Sequence, residues 1–137
     1  MERTTLALHL MLIAMGTGMS FSNLVNIRLA MIKGGDLAKG LALQRRTIAQ
    51  IADGVIALIW VTGLLLLWLE PVTPSFWFYG KIAFVVVLTL CHGLARRTAG
   101  EMARSGNTAL MPRLRNFIAG VWLSALVAIA LAVIAFR

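Results

Sequence analysis

Three observations predict an all-α integral membrane protein, a bundle of four transmembrane helices arranged as two hairpins. The chain of 137 residues is 60% hydrophobic and only 13% charged, with a mean hydropathy of +0.87. A soluble domain of this size has too little interior to hide that much apolar surface, so the bilayer must act as its solvent. The apolar residues fall in four uninterrupted runs, about 5–27, 47–69, 76–95 and 117–136, with every proline (Pro71, Pro74, Pro112) between runs. Each run is long enough, at about 1.5 Å per helical residue, to cross a hydrocarbon layer of roughly 30 Å. The four together read as a single transmembrane domain over 1–137, with nothing left for a soluble one.

The first run, TLALHLMLIAMGTGMSF and onward, is expected to be a retained span. It is too long for the apolar core of a signal peptide, its leading Met1-Glu2-Arg3 is barely basic, and it carries His9, Asn23 and Asn26. A basic stretch containing Lys33-Gly34-Gly35-Asp36 joins it to the second run. The connection EPVTPS leads to the third run, and a basic stretch with Ser105-Gly106-Asn107 leads to the fourth. Helix formers on the near side of each glycine predict that the spans extend into these stretches. A shift of 72 positions superposes His9 on Lys81 and Gly34 on Gly106, the pattern of a parallel internal repeat.

Net charge is +8, yet its distribution argues against a nucleic-acid partner. Ten of the thirteen Lys and Arg lie in the two basic stretches: Arg28, Lys33, Lys39, Arg45 and Arg46, then Arg96, Arg97, Arg104, Arg113 and Arg115. By the positive-inside rule both stretches face the cytoplasm of a bacterial inner membrane and both termini lie outside. The expected partners of this charge are the lipid bilayer and its anionic headgroups.

Lys81 lies inside the third run, SFWFYGKIAFVVVLTLCHG, where an ammonium costs about 2.5–3.5 kcal/mol at mid-membrane and less near the rim. His9 lies a similar distance into the first run, so an imidazole and an amine are expected at one depth. At 100° per residue, His9, Leu12, Ile13, Gly16, Ser20, Asn23 and Ile27 share one stripe of the first helix, and Lys81, Val85, Leu88, His92 and Ala95 share one on the third. Polar stripes in a span face the bundle interior. Two layers follow. The outer, His9 with Lys81, offers ligands for haem iron, zinc or copper; snorkelling of Lys81 and a hydrogen-bonded core His9 are the bland alternatives. The inner comprises Asn23, Asp53 and His92 beside Arg45, Arg46, Arg96 and Arg97. It reads as a proton path, an anchor for acidic groups such as propionates, or a charge-compensated helix contact in which His92 or an arginine partners Asp53.

Met11, Met15 and Met19 recur every fourth residue and suit gap-filling or lipid contact, with thioether ligation as the sharper reading. Trp68 and Trp77 fit an outer aromatic belt. Trp60 is deeper and either packs or stacks on a flat cofactor. A single cysteine, Cys91, excludes an intrachain disulfide. There is no HExxH, Walker loop, GxGxxG or CxxC, which disfavours hydrolase and nucleotide chemistry.

The segments 77–97 (WFYGKIAFVVVLTLCHGLARR), 7–30 (ALHLMLIAMGTGMSFSNLVNIRLA) and 44–68 (QRRTIAQIADGVIALIWVTGLLLLW) resemble, in order, the third, first and second helices of HemJ-type protoporphyrinogen oxidases. CopD membrane domains are a looser likeness. The HemJ resemblance implies a haem b protein that oxidises protoporphyrinogen and passes electrons towards quinone, with the essential histidine and lysine at His9 and Lys81. Met15-Gly16-Thr17-Gly18 and Asn116-Phe117-Ile118-Ala119 depart from that family's pattern. The leading expectation is therefore a haem b redox protein with the cofactor between the first and third helices. His9 and Lys81 would stand at or near the iron, and Gly16, Asn23, Arg45, Arg46, Asp53, Trp60, His92 and Arg96 around the porphyrin. Competing readings are an accessory subunit packed in a larger membrane complex or homo-oligomer, and a copper or proton conduit.

Overall fold

A computed structural model describes residues 2–69 and 75–135. Within them the chain forms four long helices: α1 (Glu2–Lys33), α2 (Gly35–Leu69), α3 (Phe76–Ser105) and α4 (Met111–Ala135), the last preceded by a short 3₁₀ turn at Thr108–Leu110. All four are long and apolar enough to cross a membrane. The predicted fold class is what the structure contains. The Pro-rich connection at 70–74 and the end of the fourth run lie outside the described residues.

The helices begin and end with the apolar runs on one side, at Leu69 and Phe76, and on the basic side run beyond them, as the helix formers before Gly34 and Gly106 predict. The gap between apolar runs from 28 to 46 shrinks to one residue, Gly34, between α1 and α2. Hydropathy marks only the part of a helix that lipid surrounds, whereas Ala, Leu, Met, Arg and Lys keep the backbone helical beyond it. Only residues that take left-handed backbone angles end these helices. Gly34 has φ 63° and Gly35 φ 59°, and the Gly34 amide donates to the Ala30 carbonyl at 3.1 Å as the chain reverses. Gly106, φ 66°, ends α3 in the same manner, its amide donating to Met102 at 2.9 Å. At the other end of α3 the Ser75 hydroxyl accepts from the Phe78 amide at 3.2 Å, capping the helix.

Each hairpin closes tightly. Gly16 faces Val55 and Ile59 of α2, and Gly120 of α4 sits where a Cβ would come within 3.0 Å of the Cys91 sulfur on α3. Small residues let spanning helices approach in this way, because packing rather than hydrophobicity drives their association in lipid. The hairpins join chiefly along α1 and α4. Phe21 meets Trp122 there with ring centroids 5.8 Å apart, and Ile27, Ala95, Leu114 and Ile118 form the buried core at the basic end. Leu114, Ile118, Val121, Ala125 and Ala128 continue that seam along α4 at alternating spacings of four and three.

The helices α2 and α3 meet differently, bridged by long side chains. The Trp60 indole N–H donates to the Thr89 hydroxyl at 3.1 Å, and Asp53 receives two groups from α3, described below. Trp60 is thus a cross-helix strut. Outward faces carry the apolar surface expected of lipid contact, including Met11, 70% exposed, Met15 and Trp68. The methionine stripe therefore does not converge on an interior ligand; Met19 alone of the three turns inward, to a cavity at the basic end.

Candidate functional site

The predicted stripe on α1 faces inward: His9, Leu12 and Ile27 are buried, and Gly16, Ser20 and Asn23 are half-buried. His9 is 7% exposed, and its Nδ1 lies 2.7 Å from the hydroxyl of Thr62 on α2. That hydroxyl is also 2.7 Å from the carbonyl of Leu58 and 3.3 Å from that of Ile59. In the tautomer that makes both contacts hydrogen bonds, the Thr62 hydroxyl donates to the Leu58 carbonyl and accepts from His9 Nδ1. In that tautomer Nε2 keeps its lone pair. The ring edge rests on Gly63, where a Cβ would stand 3.3 Å from His9 Cε1 and 4.0 Å from Nε2. Two consecutive residues of α2 thus fix the position of the imidazole.

Lys81 on α3 is close enough for its charge to act on His9. The His9–Thr62 and Trp60–Thr89 bonds set the antiparallel registers, and these place Lys81 about six residues, ~9 Å, nearer the non-basic end than His9. The two groups therefore stand at different depths. Their helices stand diagonally across the bundle, so the direct partner of His9 comes from α2 rather than α3.

The inner layer assembles around Asp53. His92 donates from Nε2 to Asp53 Oδ1 at 2.6 Å, and Arg96 Nη2 lies 3.2 Å from Oδ2. Both partners expected for this carboxylate are engaged at once. Close by, all four helices line a half-open cavity of about 1460 Å³, walled largely by alanines and other apolar side chains. Asn23, Arg45, Arg46, His92 and Arg96 line it, whereas His9, Lys81, Gly16 and Trp60 do not. Arg45, Thr62, and the Gly63 on which His9 rests are all on α2; Thr62 and Arg45 are seventeen residues apart, about 26 Å along the axis.

A haem iron needs an axial nitrogen with a free lone pair, and His9 Nε2, oriented by a hydrogen bond through its other nitrogen, has that chemistry. The arginines do not belong to the same group. Arg45, at about 26 Å, is farther from His9 than a porphyrin carboxylate is from its iron, and Arg96, bonded to Asp53 nine residues from Thr62, is about 14 Å away along the axis, so the predicted cofactor residues split between two places. Among the described residues no three His, Cys, Asp or Glu side chains gather as a metal cluster.

Sequence reasoning missed Thr62 and Gly63. The signal was present: a reversal at Gly34 makes antiparallel partners on α1 and α2 sum to about 69–71, which sets His9 opposite residues 60–62. No family model matches the chain, and no curated protein or solved structure matches it, so what this site does is argued from its own geometry.

Proposed function

We propose that this chain is a membrane-integral haem b redox protein of HemJ-like type, handling a porphyrinogen-class donor and passing electrons towards quinone from a bacterial inner membrane. The observation that carries the reading is the His9–Thr62 bond at 2.7 Å, which presents a neutral imidazole with Nε2 free to ligate in the bundle interior. The short motifs of α1, α2 and α3 that resemble HemJ helices add to it. When bound, haem b supplies one-electron chemistry. His9 holds the group, Thr62 holds His9, and Gly63 leaves space for the imidazole edge. Lys81 places a cation near the ring, where it attracts acidic groups. The surrounding apolar helices exclude water and lower the local dielectric.

The test is the visible spectrum of detergent-purified protein. Wild type shows a Soret band, His9→Ala lacks it, and Lys81→Ala weakens or shifts it. Colourless wild-type protein that co-purifies with a large membrane partner overturns the reading in favour of an accessory subunit. A reporter fused after Arg137 reads as periplasmic if the basic ends of the helices face the cytoplasm.

A further inference from the structure

The acidic side chains near the basic end are committed to near neighbours. Asp36 pairs with Lys39 at 3.0 Å and Glu101 with Arg97 at 3.2 Å, while Asp53 takes His92 and Arg96. Among the described residues near this end, Arg28, Lys33, Arg45, Arg46, Arg104, Arg113 and Arg115 have no carboxylate partner, and of these Arg45, Arg46 and Arg104 stand in the cavity wall. Arg45 is the extreme case. It is 9% exposed, and its Nη1 is buried with no hydrogen-bond partner among the described residues. At the same level of the α1–α2 hairpin, Asn23 Oδ1 is buried and unpartnered too, as is Asn26 Nδ2. A buried guanidinium nitrogen without an acceptor is costly, as is an amide without its partner. The cavity above them exceeds the range of roughly 300–1,000 Å³ usual for small-molecule pockets. Its walls are mostly apolar, with Leu114, Ile118 and Val121 contributed by α4.

We propose that this cavity is a binding site for an anionic phospholipid drawn from the leaflet at the basic end, with its phosphate on Arg45 and its acyl chain along α4. Charge, depth and shape each point to that occupant. The phosphate gives the Arg45 guanidinium, which lines the cavity without a carboxylate partner among the described residues, a charged acceptor. A basic pocket between spanning helices at headgroup level is the general form of sites for acidic lipids. The proposal is independent of haem binding at the other end of the bundle, and either can fail without the other.

Native mass spectrometry of the detergent-purified full chain, with phosphatidylglycerol or phosphatidylcholine added, provides the test. Wild type retains one phosphatidylglycerol and at least tenfold less phosphatidylcholine. Arg45→Gln lowers phosphatidylglycerol retention at least tenfold, whereas Arg28→Gln and Arg115→Gln, which remove the same charge outside the cavity, leave it unchanged. Ala49→Phe sets a ring in the cavity wall one turn from Arg45 without altering charge and also lowers retention at least tenfold, which keeps the test informative if Arg45→Gln does not fold. Glycerol phosphate in millimolar excess leaves the lipid in place; displacement by it would show a phosphate site with no role for the chain and overturn the lipid assignment. Equal retention of both lipids overturns the proposal, as does equal loss in Arg28→Gln or undiminished binding in Ala49→Phe.

Discussion

The two ends of this bundle solve the problem of polar groups in a membrane in opposite ways. Toward the non-basic end, His9 is enclosed by its own neighbours: the Thr62 hydroxyl hydrogen-bonds Nδ1 and the Gly63 backbone supports the ring. At the basic end the four helices spread around about 1460 Å³, and Arg45, Asn23 and Asn26 keep buried atoms without partners. The closed end is preorganised, with one lone pair left over by design of the hydrogen bonding. The open end is unfinished until something anionic occupies it. A polar residue in a span marks function in both cases, but the completed hydrogen-bond account separates a ligand held ready from a receptor awaiting its ligand.

Mutations that touch one end and spare the other sharpen this contrast. The largest effect is expected from Thr62→Val, which keeps the shape of the side chain and removes the acceptor. Loss of such an outer partner typically weakens a histidine-held group by about 10–100-fold, so a haem titration should show that drop, with Thr62→Ser restoring affinity; unchanged affinity would break the tautomer argument. Gly63→Ala comes next, since its Cβ would crowd the imidazole at 3.3 Å. A cost of about 1–3 kcal/mol is expected for overpacking, read as a lower midpoint of thermal unfolding in detergent with lipid retention at the far end intact.

Asp53→Asn should have a smaller effect. The Asp53 side chain is 45% exposed, so its contacts with His92 and Arg96 are screened and together contribute about 1 kcal/mol or less. Loss of the α2–α3 cross-link should appear as faster hydrogen exchange around residues 50–55 before any large change in the melting midpoint. Met11→Leu should be silent within about 0.5 kcal/mol and leave any copper retention unchanged, because Met11 points outward; a loss of bound copper would restore the thioether stripe as a ligand set.

Much of this architecture was legible from sequence alone. The four apolar runs, the inward stripe of α1 and the engagement of Asp53 by His92 and Arg96 all follow from helical periodicity and the cost of an isolated charge in lipid. The continuation of α1 and α3 to Gly34 and Gly106 follows from the helix formers before each glycine, although hydropathy alone stops short of it. One thing was not legible. The site was read as one cofactor shell because the stripes report direction around an axis and say little about distance along it. Placing His9 and Arg45 in one site required ignoring about five turns of α2, which the hairpin register makes plain.

The single-residue link at Gly34 has a consequence for how the protein enters its membrane. With the Lys33 and Gly35 ends tethered so closely, α1 and α2 reach their contact with almost no loop to search, the chain turning on a glycine whose φ of 63° other residues rarely adopt. A bulkier residue at that pivot would be felt during biogenesis, before any fault became visible in the finished protein.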